Sequence, residues 1–256
     1  MKARDAQATA LAEAESPQWS SLCRVGGIAT VILIVYSLAT IVQVVLLGGQ
    51  PASAAEAFSL LEHHRIIALL RLDLPTILVM PLYYLLFLGL FASLYRTNPA
   101  HVILATLLVF MGVTLALATP AALSMIPLSD KYAAATKEAA RSQLVAAGEA
   151  ILASDIWHAT GAFVGGILTQ CGAVLICIVM LRGKVFGKIT AYLGIVMYGL
   201  DLVHILCAPF WPSAGFVLMA VAGPLYPVWF FLVGRRLLVL GRTGSISGPA
   251  TEASEQ

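Results

Sequence analysis

The stretch VGGIATVILIVYSLATIVQVVLL, Val25–Leu47, contains no charged residue. Wound as a helix at about 1.5 Å per residue it reaches roughly 34 Å, enough to cross a hydrocarbon core of about 30 Å. Five more apolar stretches of similar length follow it: Leu74–Tyr95, Val102–Met125, Ile156–Leu181, Val185–Cys207 and Ser213–Val233. Backbone N–H and C=O groups find no water in the bilayer interior, so each stretch must satisfy them internally as a helix. The expected fold is therefore all-α, a polytopic membrane protein with six transmembrane helices. Composition agrees. The 256 residues are 60% hydrophobic and 11% charged, with mean hydropathy +0.91, against about 25% charged residues in a soluble domain. The first partner implied is the lipid bilayer.

Orientation follows from Lys and Arg. With the N-terminus inside, the inner segments hold Lys2, Arg4, Arg24, Arg96, Arg182, Lys184, Lys188, Arg235, Arg236 and Arg242, and the outer segments hold Arg65, Arg71, Lys131, Lys137 and Arg141. The excess of basic residues on the inner side, in shorter loops, gives an N-in/C-in topology. Residues 1–20 read as a polar, Ala-rich cytoplasmic tail, disordered or weakly helical. Residues 21–240 form one six-helix transmembrane domain, and residues 241–256, rich in Gly, Ser and Thr, read as a disordered cytoplasmic tail.

Two outer loops are substantial. In the first, Gly48–Asp73, Ser53-Ala-Ala-Glu56 is a capping box that starts a helix at the interface. The second, Pro127–Asp155, is polar and Ala-rich and predicts another surface helix. The inner loops at Arg96-Thr-Asn-Pro99 and Arg182-Gly-Lys184 are short, which makes helices two and three, and four and five, antiparallel neighbours. Gly223-Pro224-Leu-Tyr-Pro227 interrupts the sixth span, either as a kink in a packing helix or as a break whose freed carbonyls line a cavity. Gly161 and Gly165, with Gly166, form a small-residue face. Packing within the bundle is its first use and association into a homo-oligomer the second. The four cysteines have no zinc or disulfide spacing and read as small buried hydrophobes.

Ionisable groups are expensive in hydrocarbon, about 2.5–3.5 kcal/mol at the least, so those that persist are paired, at the rim, or functional. Asp155-Ile-Trp-His158 and Asp201-Leu-Val-His204 each set an acid and a histidine three apart, on one face if helical. Both fall on the outer side, as do Arg71 and Asp73 at the start of the second span. Arg71 is placed to neutralise an aspartate of helix four or five. The candidate site is thus Arg71, Asp73, Asp155, His158, Asp201 and His204, near the outer ends of helices 2, 4 and 5. Several readings stay open. The first is an ion-pair cluster that pins helix ends, as in a non-catalytic scaffold or accessory protein. The second is an outward-facing site for binding or transport of a small molecule or ion. The third is a divalent-metal site on Asp155, His158, Asp201 and His204 that serves a membrane-embedded metal-dependent enzyme. A haem held by His158 and His204 is a fourth. No other cofactor is indicated, and motifs for nucleophilic hydrolases, zinc proteases and nucleotide binding are absent from the sequence. A net charge of +2 without a basic–aromatic cluster gives no nucleic-acid partner. Gln43 and Gln170 read as interhelical hydrogen bonders, Trp157 and Trp211 as an outer aromatic belt, and Tyr226 as an interface or packing aromatic.

The runs Gly161-Ala-Phe-Val-Gly-Gly166-Ile-Leu, Leu181-Arg-Gly183-Lys-Val-Phe186-Gly-Lys-Ile, Leu193-Gly194, Tyr198-Gly-Leu-Asp201 and Arg71-Leu-Asp73-Leu resemble an uncharacterised bacterial membrane family, domain of unknown function 4386. The chain departs from that family at Gly187-Lys188, where a Pro-Arg pair is usual. The resemblance implies six helices and a bacterial plasma (inner) membrane, and it carries no activity. The topology is checked by reporter fusions at each end of the chain: both termini are expected on the cytoplasmic side, and an external reading at either end contradicts the charge argument.

Overall fold

In the computed structural model the described residues are 2–119, 122–155 and 158–243, with side chains from residue 19 to residue 242. The described residues are helical without strands, in chain order α1 (Lys2–Leu47), α2 (Ala54–His63), α3 (Arg65–Arg71), α4 (Leu74–Val79), α5 (Leu82–Leu94), α6 (Pro99–Leu117), α7 (Ala122–Ala134), α8 (Glu138–Leu152), α9 (Thr160–Arg182), α10 (Lys188–Cys207), α11 (Pro212–Ala222) and α12 (Leu225–Thr243). Among the described residues six helical segments are long and apolar enough to cross a membrane: Trp19–Leu47, Leu74–Leu94, Pro99–Ala134, Thr160–Arg182, Lys188–Cys207 and Pro212–Arg242. These follow the six stretches read from the sequence. Their outward faces are strongly apolar. Val45 is 76% exposed, Leu46 74% and Ile189 78%, side chains that would be costly in water and suit lipid contact. The N-terminal segment is helical from Lys2, because α1 runs unbroken through Pro17 into the first span. The tail expected at 241–256 lies outside the described residues from 244 onward.

Contacts gather into two compact units. One is built from residues 1–34, 82–109 and 170–256, the other from 35–81 and 110–169. Composition gives no sign of this division. The first unit has an aromatic and aliphatic core in which Trp229, Tyr198, Phe87, Phe230, Leu86 and Met180 are fully buried. Its helix ends are tied at one rim. Trp19 stacks on Tyr95 at 6.1 Å, a Cβ on Gly183 would lie 3.1 Å from Thr97 Oγ1, and Arg236 Nε donates to the Val185 carbonyl at 2.6 Å. That rim carries Arg24, Arg96, Arg182, Lys184, Lys188, Arg235, Arg236 and Arg242.

The second unit contains the expected outer-loop helices. Ser53 caps α2, its Oγ accepting the Glu56 N–H at 3.2 Å, as the capping box predicts. Phe58 and Leu61 of α2 pack with Ala68 and Leu72 from the segment behind them, with Ala122 and Met125 of α7, and with Leu152 of α8. The small-residue face of α9 is used inside this unit. A Cβ on Gly165 would stand 2.6 Å from the Gly112 carbonyl oxygen, a backbone atom that cannot swing away, whereas a Cβ on Gly161 meets only Thr119 Cγ2 at 3.6 Å. Gly165→Leu is therefore expected to destabilise the chain by about 1–3 kcal/mol and Gly161→Ala by much less. Thermal unfolding of both variants in detergent checks this, and equal losses would contradict the packing described.

Candidate functional site

The six candidate residues divide between the units. Arg71, Asp73, Asp155 and His158 belong to the second, Asp201 and His204 to the first.

In the second unit the charged groups serve backbone termini. The first N–H groups of a helix lack intrahelical acceptors, and a carboxylate supplies one. Asp73, buried at the start of α4, accepts the Ala122 N–H at 2.7 Å and so holds the first turn of α7. Glu149 of α8 accepts the Ala54 N–H at 2.7 Å, at the first turn of α2. Asp155 is fully buried ahead of α9, and its Oδ1 accepts both the His158 backbone N–H at 3.0 Å and His158 Nδ1 at 2.8 Å. Its other oxygen accepts from Gln50 Nε2. The Asp155–His158 pair is thus a turn leading into α9, since that helix begins at Thr160, and not the helical edge expected from the spacing. Ile156 and Trp157 lie outside the described residues.

Within its own unit Arg71 pairs with Glu56 at 2.8 Å, rather than with Asp155, and donates to the Gly49 carbonyl at 2.7 Å, fastening the loop before α2. Glu56 also accepts the Ala52 N–H at 2.9 Å. That bond holds the Glu56 carboxyl below the usual carboxylate range; burial works against it, and the hydrogen bond and charge of Arg71 add to it.

In the first unit the site is built by α9, α10 and α12. Asp201 sits on α10, roughly 20 Å along the helix from Lys188 at about 1.5 Å per residue. From residue 19 on it is the single acidic residue among the described residues of this unit. Its Oδ2 accepts Gln170 Nε2 of α9 at 2.5 Å and the Tyr226 hydroxyl of α12 at 2.8 Å. Among the described residues, Oδ1 has no hydrogen-bond donor and neither oxygen has a Lys or Arg partner. Tyr198, one turn before Asp201 on the same face, meets Tyr226 edge-on at 5.6 Å and Trp229 edge-on at 5.1 Å. Three buried polar atoms here have no partner among the described residues: Gln170 Oε1, Tyr198 OH and Trp229 Nε1. Buried polar atoms are nearly always satisfied, so three together leave room in this cluster for further hydrogen-bond partners. Gly194 lets the helices close, since a Cβ there would clash with Cys177 Sγ and Trp229 Nε1.

The sixth span is broken beside this cluster. Pro224 brings no N–H to the turn before it, α11 ends at Ala222, and α12 resumes at Leu225, one residue ahead of Tyr226. His204 shares α10 with Asp201, but its Nδ1 donates to the Gly215 carbonyl at 2.8 Å. The two DxxH pairs therefore differ, one a closed turn and the other a divided pair. Among the described residues no group of three or more His, Cys, Asp or Glu side chains gathers as a metal site.

Sequence reading found Asp201 and read Gln170 as an interhelical hydrogen bonder, which it is, but did not join the two. Tyr226 reads as an interface or packing aromatic; the signals for it are the break at Gly223-Pro224 and the Tyr198/Asp201 spacing. Comparison with known protein families, with curated proteins and with solved structures finds no match.

The Glu56 linkage predicts a pH effect. A carboxyl held lower in the folded state contributes stability above its unfolded value and loses that contribution as pH falls through the folded value. Amide protection across residues 49–63, taken relative to intrinsic exchange, is therefore expected to fall as the pH drops below the ordinary carboxylate range. Glu56→Gln should remove that dependence, and an unchanged profile in the variant would contradict the assignment.

Proposed function

We propose that the chain is a multi-pass membrane protein that binds and transports a small cation, the proton included, with Asp201 as the intramembrane binding group. The observation that carries this reading is a lone carboxylate on a helix of membrane length that is held only by neutral donors. A bare carboxylate in hydrocarbon is costly by about 2.5–3.5 kcal/mol or more, and Gln170 and Tyr226 offset only part of it. A proton or a cation at Oδ1 supplies the rest.

The neighbours suit that role. Gln170 Oε1 is a second oxygen acceptor with no donor of its own among the described residues. The Tyr226 hydroxyl, which donates to Asp201, has an oxygen that can also face a positive charge, and Tyr198 and Trp229 pack edge-on beside it. A helix broken at Gly223-Pro224 is the kind of element that lines substrate paths in transporters. In this reading the termini are cytoplasmic, Asp201 stands toward the outer side of α10, and the protein resides in a bacterial plasma membrane as a member of the uncharacterised family that it resembles.

The test uses the full chain in proteoliposomes, with flux and thermal shift measured for H⁺, Na⁺, K⁺ and tetraethylammonium. At least one of these is expected to stabilise the wild type and to cross the membrane. Asp201→Asn should keep the fold and reduce that flux by tenfold or more, with Tyr226→Phe intermediate. If none of the four cations acts on the wild type, or if Asp201→Asn transports normally, the reading fails. If Asp201→Asn and Tyr226→Phe both simply unfold the chain, Asp201 is a structural pin and the reading fails as well.

A further inference from the structure

The first unit carries a second feature, remote in composition from the Asp201 cluster. Between α1 and α12 runs a cavity of about 270 Å³ lined on one side by Thr30, Val31 and Ile34, and on the other by a stripe of α12. That stripe is Phe231, Arg235, Leu238, Val239 and Arg242, spaced at the three-, four- and seven-residue intervals of one helix face. From Phe231 to Arg242 it runs roughly 16 Å, about half of the 30 Å hydrocarbon thickness, so one leaflet.

The groove carries two cations among apolar side chains, Arg242 at one end and Arg235 about 10 Å further along α12, with Leu238 and Val239 between them. Arg235 and Arg242 are exposed and, among the described residues, make no hydrogen bond or ion pair. Arg236, between them, is spent on the Val185 carbonyl. Arg24 is exposed on α1 beside Gly241, at the same rim. Among the described side chains of this unit no acidic residue other than Asp201 is present to neutralise these guanidinium groups. The groove exists because Gly234 faces Thr30 too closely for a Cβ, drawing α12 against α1 there while the larger side chains splay on either side.

We propose that this groove is a specific site for an anionic phospholipid, with the headgroup phosphate held between Arg235 and Arg242 and one acyl chain running deeper, against Val31, Ile34 and Phe231. Charge complementarity selects the occupant. A cation at the headgroup level contributes about a fivefold factor in affinity. Two give roughly a thirtyfold preference for phosphatidylglycerol over phosphatidylcholine.

The test is native mass spectrometry and thermal shift on the full chain in mixed micelles with palmitoyl-oleoyl phosphatidylglycerol, palmitoyl-oleoyl phosphatidylcholine or inorganic phosphate. The wild type should retain phosphatidylglycerol roughly thirtyfold better than phosphatidylcholine. The double variant R235Q/R242Q should lose that preference. Val31→Trp, which fills the groove at an exposed position, should lower retention of the lipid with both arginines intact. Equal retention of the two lipids, or the same preference in R235Q/R242Q, overturns the proposal. So does an effect of inorganic phosphate equal to that of the lipid, which would make it a phosphate site only, or loss of lipid binding in favour of a dimer through this face. Neither variant touches Asp201, so failure here leaves the transport reading standing and failure there leaves this one.

Discussion

In hydrocarbon a polar group must find its partner inside the chain, and the rest of this structure answers to that demand. The second unit meets it locally. Asp73, Glu149 and Asp155 are each committed to backbone N–H groups at the start of a helix or turn, and Arg71 is committed to Glu56 and a loop carbonyl. Exposed pairs such as Arg65–Asp130 at 3.6 Å add little to this. The charged residues that look like a site in the sequence are, in this unit, the means by which short helices end properly.

The first unit meets the demand only in part. Asp201 takes two neutral donors on one oxygen and none on the other, while Gln170, Tyr198 and Trp229 each retain an unpaired atom among the described residues. The same unit concentrates basic residues at one rim, and from residue 19 on its single acid among the described residues lies roughly 20 Å along α10 from Lys188. From residue 19 on, the charges of this unit are lopsided: cations gather at one rim, and a single carboxylate stands along α10.

Much of the fold was legible in the sequence. Long apolar runs mark the spans, even where Lys188 and Asp201 interrupt the fifth, Ser53 and Glu56 mark the start of α2, and Gly223-Pro224 marks the break in the sixth span. The site was legible in its central acid and in the hydrogen-bonding role of Gln170. Identical DxxH spacing concealed different structures, because Asp155 precedes its helix and Asp201 lies within one. Asp73 and Ala122 are 49 residues apart, and no local pattern joins a carboxylate to a distant helix start. Gln170 reads as an interhelical hydrogen bonder without a named partner and Tyr226 as a packing aromatic; only tertiary packing reveals that both converge on Asp201.

The central claim is that Asp201 is a carboxyl that exchanges a proton or cation rather than a fixed structural link. Infrared difference spectroscopy of the full chain in lipid reads this directly. The account predicts a carboxyl C=O stretch that appears or vanishes as pH or the bound cation changes, and that is missing from Asp201→Asn. A spectrum in which the wild type and Asp201→Asn respond identically would contradict it.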